Sequence, residues 1–390
     1  MGRNRKPVPP DNDDEERTMD NEFNMVIVSG ALIIGLIFGA VIQRSRFCMA
    51  AVVSNMVLMG DRRHLHAWMV TMLIAIAGGF ILEFSGLVDI SLSSYRDGHI
   101  NVAGTLFGGM LFGIGAIFAG GCIGRVLTQT GEGNLGALLA LLTLAFGATA
   151  SYVGFIEPMR LWMDQLVSYQ ASSGDASLST LLNVPLWVPA TVISSLIALY
   201  LYRHRHHDIS PRLLFAGAVV GLLVLAGWLL TGWIGADEFT DMAPHSVTFS
   251  GPIASSALLL SIGNMPASLF GVSLVVGTLL GSFLSAVLTR TFRITPPNPT
   301  SIGRILVGGF MMGTGAICAG GCNIGQGVTG FSTLSVESIF AVVAIFSGMY
   351  VGVKWLQFSE NHGYLWKMPR LRLHQSRQGP QPDAEQVVAS

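Results

Sequence analysis

Residues 106–122 read LFGGMLFGIGAIFAGGC and residues 306–322 read LVGGFMMGTGAICAGGC, so one phrase recurs 200 positions later with 11 of 17 positions identical. This is an internal duplication, and most of what it repeats is glycine and a thiol. Gly108, Gly109, Gly113 and Gly115 return as Gly308, Gly309, Gly313 and Gly315, followed by Ala119-Gly120-Gly121-Cys122 and its copy Ala319-Gly320-Gly321-Cys322. Glycines at this spacing on an apolar helix let two backbones approach closely. The Gly-Gly pairs do something else. They break a helix and release N–H and C=O groups that hydrocarbon cannot satisfy. Such a break at membrane depth persists only where protein or water surrounds it, which in transporters with internal repeats is the substrate site.

Composition fixes the class. With 51% hydrophobic and 12% charged residues and 47 glycines, at a mean hydropathy of +0.57, the chain reads as an all-α polytopic membrane protein. A net charge of −1 without a dense basic cluster gives no reason to expect a nucleic-acid partner. Nine stretches approach the roughly 20 apolar residues of a span: 25–43, 65–83, 104–121, 134–153, 186–202, 213–233, 269–289, 302–319 and 334–356. The pieces 45–58, 122–131, 251–263 and 322–331 are too short or interrupted to cross, and read as re-entrant. The organisation expected is an acidic, disordered tail over 1–24 without an apolar signal region, a first transmembrane repeat over 25–185, a linker helix and basic turn over 186–212, a second repeat over 213–356 and a polar tail over 357–390. The odd segment 186–202 inverts the second repeat relative to the first. Arg44, Arg46, Arg62, Arg63, Arg203, Arg205, Arg212, Arg290, Arg293 and Arg304 fall on one side of that arrangement. The excess of cations places this side, and the C-terminus, in the cytoplasm and the N-terminus outside.

All four cysteines, Cys48, Cys122, Cys318 and Cys322, lie in apolar, glycine-rich context and read as free thiols. No nearby His, Asp or Glu completes a metal site around the Cys318-x3-Cys322 pair, and nothing implies a cofactor. Four irregular pieces meeting near the midplane would aim helix N-termini and unpaired N–H groups at a common point, which favours an anion. The groups they carry are Cys48, Cys122, Arg125, Ser250, Cys322, Asn323 and Gln326, together with the glycine pairs Gly120-Gly121 and Gly320-Gly321. None forms a nucleophile with its base. A neutral S–H is a weak, polarizable donor suited to a soft sulfur atom, so a hydrogen-bonded relay past thiols follows, with no covalent step. Cys318, whose counterpart is Phe118, reads as a packing residue. Arg44, Arg46 and Arg125 either anchor the cytoplasmic face or draw an anion to it. Glu83 and Glu337 sit near span ends, where interfacial roles are expected.

At QRSRFCMAA (43–51), GGMLFGIGAIFAGGC (108–122) and AGGCN (319–323) the sequence resembles the YeeE/YedE family of sulfur-transport membrane proteins, over roughly residues 25–356. The resemblance implies an inner-membrane permease of inverted-repeat architecture that takes up thiosulfate or a related sulfur-containing anion. By motif match it puts Cys48, Cys122 and Cys322 on the path, and it implies a small cytoplasmic sulfur-carrier protein as partner. Two other functions stay open on the residues: a permease for another small anion or selenium species, and a membrane thiol enzyme relaying sulfane sulfur through Cys318 and Cys322.

Overall fold

A computed structural model describes residues 12–204, 210–235, 243–262 and 269–362. Among these the protein is a helical bundle capped by one small hairpin. The helices are α1 (Asn12–Ser45), α2 (Met49–Met59), α3 (Arg63–Phe84), α4 (Val102–Ala119), α5 (Ile123–Gly131), α6 (Leu135–Tyr152), α7 (Glu157–Leu166), α8 (Leu178–Leu182), α9 (Trp187–Arg203), α10 (Pro211–Leu229), α11 (Ser250–Ile262), α12 (Leu269–Leu288), α13 (Ile302–Cys318) and α14 (Val336–His362). A π turn covers Gly325–Gly330, where the first half has α5.

Eight stretches among the described residues are long and apolar enough to span a bilayer, so the chain is a multi-pass membrane protein. The ninth expected span is the shorter apolar helix Trp187–Arg203. The short pieces 45–58, 122–131, 251–263 and 322–331 correspond to α2, α5, α11 and the π turn. Backbone helix begins at Asn12, inside the stretch read as disordered. Residues 1–11 and 363–390, like Asn264, Arg205, His206 and His207, lie outside the described residues.

Glycine sets how the duplicated helices meet. α4 and α13 run antiparallel, and their contacts are reciprocal. A Cβ on Gly108 would stand 2.5 Å from Ala319 N, and one on Gly308 2.5 Å from Ala119 N. The next layer repeats the exchange: α4 packs on α14 as α13 packs on α6, and α1 packs on α12 as α3 packs on α10. In these pairs each contact has a counterpart with the roles swapped.

On the face opposite the arginine-rich turns, strand β1 (Asp97–Asn101) pairs antiparallel with β2 (Ser168–Asp175). The cap is tied to the bundle by Arg96, 3% exposed, which donates to Glu83 and, at 3.2 Å, to Asp175. Removing the cation would leave two carboxylates facing each other in a partly dry site. Arg96→Met is expected to cost about 3–5 kcal/mol, the scale for breaking a buried ion pair, read as a fall in the thermal midpoint of the purified protein; an unchanged midpoint would contradict it.

Candidate substrate path

Each Gly-Gly-Cys motif folds as a helix stop followed by a helix start. Gly120 (φ +87°) and Gly320 (φ +66°) adopt the left-handed conformation, which only glycine enters without strain. Gly121 N–H then donates to Ala116 O and Gly321 N–H to Ala316 O, each at 2.9 Å. This six-to-one closure satisfies the last carbonyls of α4 and α13. The break thus exposes fewer carbonyls than the sequence suggests, and the groups left over are the N–H donors that start the next element. Cys122 is the N-cap of α5, and Cys48 is the N-cap of α2.

These two caps meet. The Cys48 and Cys122 sulfurs are 3.4 Å apart and buried. Neither sulfur caps its own helix through a side-chain hydrogen bond. Two helix N-termini therefore converge on one pair of thiols, and each terminus carries partial positive charge.

The pair divides two spaces. On one side a vestibule of about 560 Å³ reaches Cys48, Gly120, Gly121 and Arg125 from the arginine-rich face, with Arg46 and Arg304 also on its wall. Arg125 is partly balanced by Glu132, 3.3 Å away. On the other side a cavity of about 20 Å³, walled by Phe38, Phe47, Trp68 and Asn323, touches both thiols. Two buried polar atoms of its lining residues, Trp68 Nε1 and Asn323 Oδ1, have no hydrogen-bond partner. Leaving such atoms unpaired costs about 1–3 kcal/mol each, so each calls for a partner.

The second half is arranged differently. Cys322 is fully buried and its sulfur accepts from Gly325 N–H at 3.3 Å. Gln326 donates to Ala319 O at 3.1 Å and accepts from Ser338 at 2.5 Å. Its amide and the Glu337 carboxyl cover Gly320, whereas nothing lies within 4 Å of where a Gly120 side chain would begin. Glu337 is held by Thr105 Oγ1 at 2.8 Å. Tyr95, in the connection between α3 and β1, sits over this end beside Gly325. Burial pushes its phenol up, so it stays a neutral donor.

Cys48, Cys122, Asn323 and Arg125 line one cavity. Gln326 lies apart from it, its amide bonded at both ends to Ala319 O and Ser338. Ser250 is buried at the first position of α11, where contact with the π turn is made by its predecessors: Val247 O accepts from Thr329 at 2.6 Å, and Thr248 approaches Gly325. Cys318 lies at the α4–α13 crossing against Gly108, as Phe118 lies against Gly308, and so packs rather than lines the path. Trp68, Tyr95 and Arg304 were not singled out as path residues. Trp68 stands within an ordinary apolar span, and no local motif marks it.

The profile of a family described as "Sulphur transport" matches residues 44–351. A curated protein of Spirochaeta thermophila, named thiosulfate transporter TsuA, is 28% identical over 336 residues, covering 84% of this chain and 98% of that protein. The thiosulfate transporter TsuA of Escherichia coli K12 is 28% identical over 357 residues, covering 85% of this chain and 95% of its own.

Proposed function

This chain belongs to the sulphur transport family, a transporter rather than an enzyme, and from that premise we propose that it is an inner-membrane permease for thiosulfate uptake. The observation that carries the reading is the thiol pair Cys48–Cys122, 3.4 Å apart, at the inner end of a basic vestibule. Thiosulfate is an anion with a large, soft terminal sulfur. Helix N-termini and their N–H groups offset its charge, while neutral thiols offer weak, polarizable donors to the soft end. Sulfate lacks that end, so the same donors discriminate against it.

The reciprocal antiparallel packing of α4 on α13 supports two inverted-topology repeats with the path at their interface. Four spans in each half then require α9 to cross, at about 1.5 Å rise per residue on the order of 25 Å long. The arginine-rich face is cytoplasmic in this reading, with the N-terminus outside. Thiosulfate enters from the Tyr95 side, meets Cys322, passes Asn323 to the Cys48–Cys122 pair, and leaves through the vestibule. Arg46, Arg125 and Arg304 attract it there, and a cytoplasmic sulfur-carrier protein would collect it at this mouth.

Cells expressing the chain should accumulate sulfur-labelled thiosulfate above vector-only cells, and a large excess of unlabelled sulfate should leave that accumulation unchanged. Uptake of labelled sulfate instead, or suppression of thiosulfate uptake by sulfate, would refute the substrate assignment.

A further inference from the structure

A second opening has no part in the path. Between α1, α10 and α12 runs a groove of about 510 Å³, within the range of small-molecule sites, with walls almost entirely apolar. Ile37 and Val41 of α1, Phe215 of α10, and Leu284 and Leu288 of α12 form much of its surface. Its polar end is Arg44 and Arg212. Arg44 closes α1 and is held there by Nε donation to Ser285 Oγ at 3.3 Å, while Ser285 donates in turn to Gln43 Oε1 at 2.9 Å. Arg212 follows Pro211 at the start of α10, a helix whose N-cap Ser210 makes no side-chain cap. Among the described residues neither arginine has an acidic partner.

Two guanidinium groups without an acidic partner among the described residues, and a helix N-terminus without a side-chain cap, thus stand at the head of an apolar trough on the arginine-rich face. Water does not suit the trough, and a small inorganic anion would leave it unfilled. An occupant with an anionic head and a hydrocarbon tail satisfies both ends. Basic pockets between transmembrane helices on the cytoplasmic side are where anionic lipid headgroups bind, and a phosphate at a helix N-terminus gains from the exposed N–H groups.

We propose that an anionic phospholipid occupies this groove, its phosphate between Arg44 and Arg212 and one acyl chain along Ile37, Phe215 and Leu284. Arg44 is four residues before Cys48, so the bound headgroup fixes the end of α1 from which the thiol-bearing cap of α2 departs. The site is independent of what the permease carries.

The test uses the full chain purified in detergent, titrated with phosphatidylglycerol or phosphatidylcholine and followed by native mass spectrometry and thermal unfolding. Phosphatidylglycerol should be retained and raise the thermal midpoint, with phosphatidylcholine retained far more weakly. Arg44→Gln with Arg212→Gln should weaken phosphatidylglycerol binding about thirty-fold, the combined effect of two cations near a lipid surface. Leu284→Trp keeps both arginines and fills the groove from its lipid-facing side. It should also abolish retention, and it serves if the arginine variant does not fold. Equal retention of the two lipids, unchanged binding in the variants, or a shift reproduced by inorganic phosphate alone would overturn the proposal.

Discussion

Gly113→Val and Gly313→Val should each leave almost no folded protein in the membrane. A Cβ at Gly113 would lie 2.3 Å from Ile345 O and 2.6 Å from Met349 N, and one at Gly313 would lie 2.1 Å from Leu144 O and 2.8 Å from Ala148 N. All four neighbours are backbone, so no side chain can swing aside. Relief requires α4 to part from α14, or α13 from α6. Helices in a bilayer associate largely through such close packing, so the loss should exceed the roughly 1–3 kcal/mol of an ordinary overpacked core. Gly251→Ala is the control, because among the described residues nothing lies within 4 Å of its added methyl. Yield of monodisperse protein and thermal midpoint are the readouts. Valine variants as stable as the parent would mean that the duplicated glycines do not set the interface.

The second large effect is chemical. Diamide should join Cys48 to Cys122, since their sulfurs are already 3.4 Å apart. Two thiols give up two protons and two electrons to the azo group, which becomes a hydrazine, and one S–S bond forms. The product removes both S–H donors and ties the caps of α2 and α5 together, so thiosulfate uptake should fall to background. Dithiothreitol should restore it. Cys318→Ala should leave both oxidation and block intact, because Cys318 packs at the α4–α13 crossing, whereas Cys48→Ser should prevent the cross-link. A confirmed Cys48–Cys122 disulfide with normal uptake would remove the pair from the path.

The sequence already carries much of this arrangement where the signal is local. Two adjacent glycines followed by cysteine can be read as a helix break without any tertiary knowledge, and Gly120 and Gly320 do enter the left-handed region. Hydropathy marks the spans for the same reason, since each must face hydrocarbon over its own length. Groups that act through distant partners are less visible. The Arg96 link depends on Glu83, 13 residues before it, and on Asp175, 79 residues after it. The vestibule gathers Arg46, Arg125 and Arg304 from three separate elements. Gln326, four positions after Cys322, reads as a polar group on the piece that follows the break, and its bonds to Ala319 O and Ser338 depend on chain positions that no local motif marks.

The most direct test of the thiol-lined path is uptake of sulfur-labelled thiosulfate by cells expressing the parent, Cys122→Ala or Cys322→Ala at matched membrane abundance. A hydrogen bond to a charged group contributes about 1.5–3 kcal/mol, so each substitution should lower uptake about ten- to a hundred-fold. Uptake at the parental rate by both alanine variants would contradict the account and leave recognition to the backbone N–H groups alone.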